Sequence, residues 1–519
     1  MGTVHEETER KYDGVPGRPL VAAGLPDVID VAAGKAENLD AVYYDTADLR
    51  LLRSGLTLRR RTGGHDPGWH LKIPRGDGHR SEYGLPLEAG EEESPPREFV
   101  VRTRGIARGM GLHPVARLHT RRERVVLMDP DGRQLAELAR DEVCGQVIDA
   151  ARTGRRRPGG APGPSGSVTD VTEVIAWTET EVELIKGPRE LLDAVDEALR
   201  DQGLQPAVTS SKLERVLSDR LPPRPRQTEA AAGSVGEALT AYLRAQTAQI
   251  RELDPAVRLD EPDAVHRMRV AVRRLRSALT AHRRLLAAST VDHLSEELRW
   301  LGHVLGEARD AEVLGLHLSD QAATLPPAAH PGQVVSRVRA WFGDRYAEAH
   351  RAAVRSMDSR RYYAVLDALG ELAAAPPLRG RAGHGRAEVR RALRREKRRT
   401  GRRLDRALDM APGPGRDRAL HRARKAAKRA RYTAESVAPP TGSGARRYGK
   451  RMKKIQQALG AHQDGVVAEQ AVLALAAAAT GDGGGTDVAF GYGVLYAMQR
   501  QGAQEQLDTA RRQWDRLDH

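Results

Sequence analysis

Several short runs in the first half of the chain place charged side chains at two-residue spacing. In HEETERK (5–11), Glu7, Glu9 and Lys11 alternate with Glu6, Thr8 and Arg10; in TETEVEL (178–184), Glu179, Glu181 and Glu183 alternate with Thr180, Val182 and Leu184. A strand turns successive residues to opposite faces, so each set shares one face. Arg59 and Arg61 share a face opposite Leu58, and Lys72 opposes Leu71 and Ile73. Carboxylate oxygens are hard ligands for Mg²⁺ or Mn²⁺, while Arg and Lys grip phosphate oxygens. Acidic faces on two strands and basic faces on others are therefore the complement that holds a divalent cation and a phosphate chain together. Charged faces simply in contact with water, as on any antiparallel sheet, are the other reading that the residues leave open.

A second pattern is written twice. VHRMRVAVRRLR (265–276) and LHRARKAAKRAR (420–431) align at an offset of 155 residues. The alignment sets His266 on His421, Arg267 on Arg422, Arg269 on Arg424, Arg273 on Lys428, Arg274 on Arg429 and Arg276 on Arg431. Downstream, LGEARD (305–310) answers LGAHQD (459–464). Such self-similarity marks a duplicated helical unit. At roughly 100° per residue, His266, Arg269, Arg273 and Arg276 form one stripe and Val265, Met268, Val272, Leu275 and Leu279 another. The second copy sets His421, Arg424, Lys428 and Arg431 against Leu420, Ala423, Ala427 and Ala430. No carboxylate punctuates either cationic stripe, so i,i+4 pairing cannot neutralise it. An anion site is favoured over a merely solvated face. Metal ligation by the histidines is disfavoured, because cations rather than further ligands crowd them.

The elements that must position these residues differ between the halves. Alternating runs such as LTLRRR (56–61), WHLKI (69–73), RERVVL (122–127) and TETEVELI (178–185) predict strands. After residue 234, Ala/Leu/Arg segments predict helices near 235–253, 263–287, 291–319, 333–356, 360–373, 386–409, 417–436, 446–478 and 488–517. The fold class expected is α+β and multidomain, with an all-α second part of two duplicated four-helix bundles, about 234–375 and 384–519. Gly/Pro/Arg-rich 152–167 reads as a loop, and Pro-rich 220–234 as the linker between parts. Residues 1–233 hold 34 Lys+Arg against 38 Asp+Glu; residues 234–519 hold 50 against 32. A basic half of net +18 beside a part of net −4 calls for a polyanionic partner. One cysteine, Cys144, excludes an internal disulfide framework and fits a reducing compartment. The charged N-terminus lacks a signal-peptide pattern, and no apolar run approaches membrane-spanning length, so a cytoplasmic protein with no membrane partner is expected.

The strand motifs fall in a family order. E-x-E-x-K at Glu7, Glu9 and Lys11 is followed by YYDTADLRLL (43–52), LRRR (58–61), Lys72, R-x-E at Arg80 and Glu82, E-x-E at Glu181 and Glu183, and SKLER (211–215). This series, over residues 1–219, resembles the CYTH superfamily, the triphosphate tunnel metalloenzymes. Residues 234–519 resemble the CHAD domain, a helical module named for its histidines, with 220–233 as linker. The resemblance implies a closed antiparallel β-barrel with flanking helices and a tunnel lined by charged side chains. It implies Mg²⁺ or Mn²⁺ ligation by Glu7, Glu9, Glu181 and Glu183, and triphosphate binding by Arg59, Arg61, Lys72, Arg122 and Lys212. Lys11 would assist, with Glu7 and Glu9, in metal-assisted attack of water on a terminal phosphorus. Arg122 is taken over Arg121 because that register leaves Val125 and Leu127 on the outer face; outward Glu6, Thr8 and Arg10 of the first strand are expected in solvent. For the second part the resemblance implies binding of inorganic polyphosphate by His266, Arg269, Arg273, Arg276, His421, Arg424, Lys428 and Arg431, from the two repeats lining a shared groove.

Three functions compete. The first is a triphosphatase or short-chain polyphosphatase carrying a polyphosphate-binding module. The second is a non-catalytic polyphosphate-binding protein that targets polyphosphate granules. The third, a nucleic-acid binder, is disfavoured: aromatics are 4% of the chain, and Tyr432 alone interrupts the basic helices.

Overall fold

In the computed structural model, residues 3–76, 79–92, 94–148, 171–223, 234–379, 385–435, 443–481 and 486–518 are described. The loop expected at 152–167, and most of the linker at 220–234, lie outside them. The chain forms two compact units, Met1–Arg224 and Pro225–His519.

In the first unit the strands are β1 (Thr3–Asp13), β2 (Asp30–Ala33), β3 (Glu37–Asp45), β4 (Thr57–Thr62), β5 (Gly68–Gly76), β6 (His79–Leu85), β7 (His113–Met128), β8 (Gln134–Ile148), β9 (Val171–Leu184) and β10 (Gln205–Pro206). They pair antiparallel in the order β1-β6-β5-β4-β3-β7-β8-β9, and β9 pairs back onto β1. Eight strands thus close a barrel, with β2 added at β7 and β10 at β1. Closure removes the exposed edges that an open sheet would present.

Alternation then decides what lies inside. The outer face of β1, β7, β8 and β9 buries Tyr12, Leu127, Leu138 and Val182 against Leu191, Val195 and Leu199 of the Arg189–Arg200 helix. Outward exposure of β1 holds for Glu6 but not for Thr8 and Arg10, which are half-buried. Thr8 Oγ1 lies 3.1 Å from His79 Nδ1, and Arg10 donates to Leu192 O at 3.1 Å, because a neighbouring strand and that helix cover them.

One end of the interior is plugged. Ser211 caps the Lys212–Val216 helix by accepting from Glu214 N–H at 3.1 Å. Leu213, Val216 and Leu217 then pack among inward Ala116, Leu118, Val143, Val147 and Trp177. Gly145 makes room for this plug, since a Cβ there would stand 2.4 Å from Val216 Cγ2.

The second unit contains nine helices among the described residues: Val235–Arg258, Ala264–Ala281, Ala288–Ala323, Pro331–Met357, Arg360–Ala374, Gly385–Leu408, Pro414–Glu435, Ser443–Gly481 and Thr486–Asp518. The first four and last four correspond in order; Arg360–Ala374 has no counterpart in the second half. Each half has its own core, one around Leu239, Met268, Leu275 and Leu301, the other around Leu404, Ala427, Ile455 and Leu459. A third core joins the halves: Leu318, Val338 and Phe342 meet Val472, Tyr492 and Leu495. Its origin is length. A 36-residue helix spans about 54 Å, twice its 18-residue neighbour, so the long helices overrun the bundles and bury their distal apolar faces against each other. No helix of the described residues is long and apolar enough to cross a membrane.

Leu213 is 1% exposed at the centre of the plug. Leu213→Ala should destabilise the barrel unit by about 2–5 kcal/mol, read as an earlier denaturant-unfolding transition.

Candidate functional site

The barrel interior beyond the plug is a cavity of about 360 Å³. Glu7, Glu9, Lys11, Arg59, Arg61, Lys72, Arg122, Glu181, Glu183 and Lys212, all ten tunnel residues named from sequence, line it. Arg80, Glu82, Arg124 and Glu137 line it as well. The inward register of Arg122 leaves Arg121 outside, 49% exposed and bonded to Glu142 at 3.2 Å.

Topology sorts the charges onto opposite walls. In the closing order β4 stands fourth from β9 in either direction, so Arg59 and Arg61 face Glu181 and Glu183 across the barrel. Register adds a carboxylate row on the acidic wall: Glu9 of β1 pairs with Glu183 of β9, which pairs with Glu137 of β8. Like charges directly opposite across strands repel.

Elsewhere in the cavity, partners neutralise one another. Lys72 Nζ donates to both oxygens of Glu7, at 2.9 and 2.7 Å. Lys11 Nζ bonds Glu181 and lies 3.3 Å from Glu9, which also accepts from Arg80 at 3.0 Å. Arg122 forks onto Asp141 at 2.8 and 2.7 Å and reaches Glu181 at 2.7 Å. Arg61 is anchored by Asp66 Oδ2 at 2.9 Å.

The tightest carboxylate cluster among the described residues is Asp141, Glu179 and Glu181. It already encloses a cation, since Lys212 Nζ lies 2.9, 2.6 and 2.8 Å from these three. Burial opposes the Lys212 charge, yet Glu181, Asp141 and Glu179 together hold its pKa above the ordinary range. This cluster is a lysine cage.

The Glu9–Glu183–Glu137 row suits a divalent ion better. Burial raises the Glu183 carboxyl, Lys72 offsets part of the rise, and Glu9 and Glu137 add to it. Glu183 has no ion-pair partner among the described residues. Glu9 is paired with Lys11 and Arg80, and Arg124 Nη1 lies 3.4 Å from Glu137, so the unrelieved charge of the row rests on Glu183; its hard oxygens, flanked by two further carboxylates, are what Mg²⁺ or Mn²⁺ would relieve. Beside the row, burial and a hydrogen bond shared with Glu82 push Glu7 up to about 8, although Lys72 opposes the rise. Glu82 is held below the usual range despite burial, by Lys72 and His70.

Sequence reasoning named the ligands by motif and so passed over Glu137, Arg124 and Asp141. Parity carries the signal: Glu137 and Asp141 lie four apart on β8, and Arg124 two beyond Arg122 on β7.

In the second unit the two repeated helices, Ala264–Ala281 and Pro414–Glu435, pack against each other. Lys428 is pushed down to about 7 by burial and then by Arg273, Arg424 and Arg269, with Asp464 opposing. His266 is lowered by burial, by Arg309 and by Arg273; His421 by burial, by Lys425, by Arg424 and by Lys428. His266, Arg273, Lys428, Arg424 and His421 therefore form one line of mutually felt groups across both repeats. Arg269 is oriented by Asp310 at 2.6 Å and by Gly306 O at 3.2 Å.

The repeated glycines answer the repeated arginines. A Cβ at Gly306 would stand 3.4 Å from Arg269 Nη2, and one at Gly460 3.4 Å from Arg424 Nε. The shared line omits two expected members. Arg276 neighbours Arg299, and Arg431 bonds Gln456 at 3.0 Å and Glu435 at 2.9 Å. The two helices stay in contact beside Arg431, where Arg273 Nε donates to the Tyr432 hydroxyl at 3.1 Å.

A family model of the CYTH domain matches residues 6–215, and one of the CHAD domain matches residues 241–473. Two uncharacterized proteins of Mycobacterium tuberculosis, from strains CDC 1551 / Oshkosh and ATCC 25618 / H37Rv, are each 36% identical over 524 aligned positions. The alignments cover 99% of this chain and 97% of theirs. The crystal structure of the CHAD domain from the plant Ricinus communis is 28% identical, covering 56% of this chain and 96% of that one, with a TM-score of 0.42.

Burial pushes the Glu7 carboxyl up to about 8 although Lys72 donates to both its oxygens, so a cation beside it should favour loss of a proton. Mg²⁺ or Mn²⁺ affinity should therefore rise with pH up to about 8, with proton release on binding. Calorimetry in buffers of different ionisation enthalpy measures this, and Glu7→Gln should remove the linked proton.

Proposed function

This chain belongs to the family in which a CYTH domain is followed by a CHAD domain, and from that premise we propose that its barrel hydrolyses inorganic triphosphate while its helical unit binds inorganic polyphosphate. The observation that carries the first half is the placement of acid and base on opposite walls of one closed cavity. A triphosphate lies along Arg59, Arg61, Lys72 and Arg122, with Lys212 at the plugged end. A water oxygen attacks the terminal phosphorus and the bridging P–O bond breaks, its electron pair leaving with diphosphate. One water proton stays on the orthophosphate and the other is released to solvent. The charge that develops on the leaving group falls against guanidinium and ammonium groups already fixed by Asp141, Asp66 and Glu7, so little reorganisation is needed.

A divalent ion held by Glu9, Glu183 and Glu137, with Glu7 beside them, supplies neutralisation of the phosphate oxygens. Glu181, with Lys11, Lys212 and Arg122 all on it, holds the cations in register. Lys11 links the two sets by contacting both Glu9 and Glu181.

The lining also argues for an inorganic substrate. It contains one Tyr and no Phe or Trp, and Ile185 is its one large aliphatic side chain. Besides Tyr43 the ring side chains of the lining are His5 and His65, so the cavity is built of charge and offers little apolar surface to a nucleobase or thiazole. Glu9→Gln and Arg59→Ala should each lower turnover of tripolyphosphate by on the order of 100-fold in a phosphate-release assay, measured at a temperature where circular dichroism shows each variant folded.

For the helical unit the supporting observation is the cluster of Arg269, Arg273 and Arg424 around Lys428, which burial and then those three guanidiniums push down to about 7. A bound polyphosphate returns the proton to Lys428. Affinity should accordingly fall as pH rises through 7, where free Lys428 becomes neutral. Lys428→Arg should bind without that pH dependence, and Lys428→Gln should bind more weakly at pH 6, both read by fluorescence anisotropy.

A further inference from the structure

The duplication is unequal in charge. Val235–Arg258 opens the first repeat with three arginines and three carboxylates, and its Arg258 is bound to Asp254 at 2.7 Å. Its counterpart, Gly385–Leu408, carries eleven Lys and Arg against three carboxylates. Two of those three are committed elsewhere: Asp405 accepts from Trp514 Nε1 at 2.7 Å, and Glu396 from Arg429 at 2.7 Å. Arg391, Arg394, Arg398 and Arg402 follow one another at three- and four-residue spacing. They form a row about 16 Å long on one helix.

With Lys397 this row lines an open groove of about 870 Å³ that Trp514 floors. A second depression of about 350 Å³ shares Lys397 and Trp514 and continues over Arg447 and Arg451 of the Ser443–Gly481 helix. Arg394, Arg398, Arg402, Arg447 and Arg451 make no ion pair with any described residue. Packing this many like charges without partners costs stability unless an anion compensates.

The chemistry of the walls selects the anion. Trp514 is 6% exposed and lies against Gly401, where a Cβ would stand 3.3 Å from its ring; Tyr448 packs into the second core. Trp514 shows little ring surface and Tyr448, which lines the second depression, is half-buried, so the groove is dominated by phosphate-binding charge rather than by stacking surface. It also connects to the line through Lys428. Arg399 feels Arg429 and Arg403, and Arg403 Nη1 reaches Arg422 O at 3.5 Å, on the helix that carries Arg424 and Lys428.

We propose that this groove is a second polyphosphate track, built into the second repeat only, which takes the length of chain that overruns the line between the two repeats. It rests on the reading of that line as a polyphosphate site. A short chain fills the line and stops. A long chain continues past Arg403 onto Arg402, Arg398 and Arg394, so the protein binds polyphosphate with an affinity that grows with chain length.

The test uses the full chain and the Arg394→Gln/Arg398→Gln/Arg402→Gln variant, titrated with short-chain polyphosphate, long-chain polyphosphate and duplex DNA over a range of salt. Long-chain affinity should fall by roughly 10-fold, with the log–log salt slope shallower by about 2 for three lost contacts. Short-chain affinity and tripolyphosphate hydrolysis should stay unchanged, and the unfolding transition should not move down. Unchanged long-chain binding overturns the track, as does an equal loss for both chain lengths. Loss confined to duplex DNA overturns it too and makes the face a nucleic-acid surface. Arg273→Ala/Lys428→Ala separates the two readings: short-chain binding that survives in that protein contradicts the line itself, whereas loss there with an unchanged groove variant contradicts the track alone.

Discussion

Ionised groups can line the inside of this barrel only because each is set beside its opposite. Moving one ion out of water costs several kcal/mol, and the cost is recovered only by close, well-aligned partners. The closed sheet meets that condition through register. β8 brings Asp141 to Arg122 of β7, β9 brings Glu181 to Lys11 of β1, and the plug delivers Lys212 into three carboxylates. The plug helix thus has two roles that cannot be separated. Its apolar face fills one end of the barrel, and its first residue supplies the cation without which Asp141, Glu179 and Glu181 could not be buried together.

Where that pairing is incomplete, a site begins. Glu183 lies between Glu9 and Glu137 with no ion-pair partner among the described residues, and Arg59 and Arg61 stand on the wall opposite. A cation on one side and a phosphate chain on the other would complete both walls at once. The helical unit shows the same imbalance with the sign unrelieved. Its two repeated helices set cation beside cation, and burial, then Arg273 and Arg424, push Lys428 down to about 7. Folding tolerates this because the apolar faces of the same helices, Met268, Val272 and Leu275 against Ala423, Ala427 and Ala430, fill the two cores. The alanines leave the second core thinner in side-chain volume than the first, which fits a helix whose other face is given over to charge.

Much of this was legible in the sequence, for reasons of period. A two-residue alternation fixes which side chains share a face, which grouped Glu7, Glu9 and Lys11, Glu179 with Glu181 and Glu183, and Arg59 with Arg61 before their strands were paired; Arg122 and Lys212 came from the family motif. Ala/Leu/Arg segments punctuated by Gly and Pro located the nine helices of the second unit among the described residues to within about six residues at each end. Pairing itself was not legible. Glu137 joins the acidic wall only through the β8–β9 register, and Lys212 reads as one more phosphate ligand until its three carboxylates are seen around it. The third core was hidden for another reason: it follows from helices being too long for their bundles, which a motif does not reveal. Arg276 and Arg431 continue the stripe on paper; the fold sets Arg276 near Arg299 and gives Arg431 the partners Gln456 and Glu435, neighbours that helical period alone does not reveal.

The account stands on the division of the tunnel into a metal wall and a phosphate wall. The most direct measurement is the anomalous scattering of Mn²⁺ in crystals of the protein grown with a non-hydrolysable triphosphate analogue. The account predicts a manganese peak against Glu9, Glu183 and Glu137, with the analogue's phosphates on Arg59, Arg61 and Arg122 and with Lys212 still inside its three carboxylates. A peak among Asp141, Glu179 and Glu181, with Lys212 expelled, would contradict it.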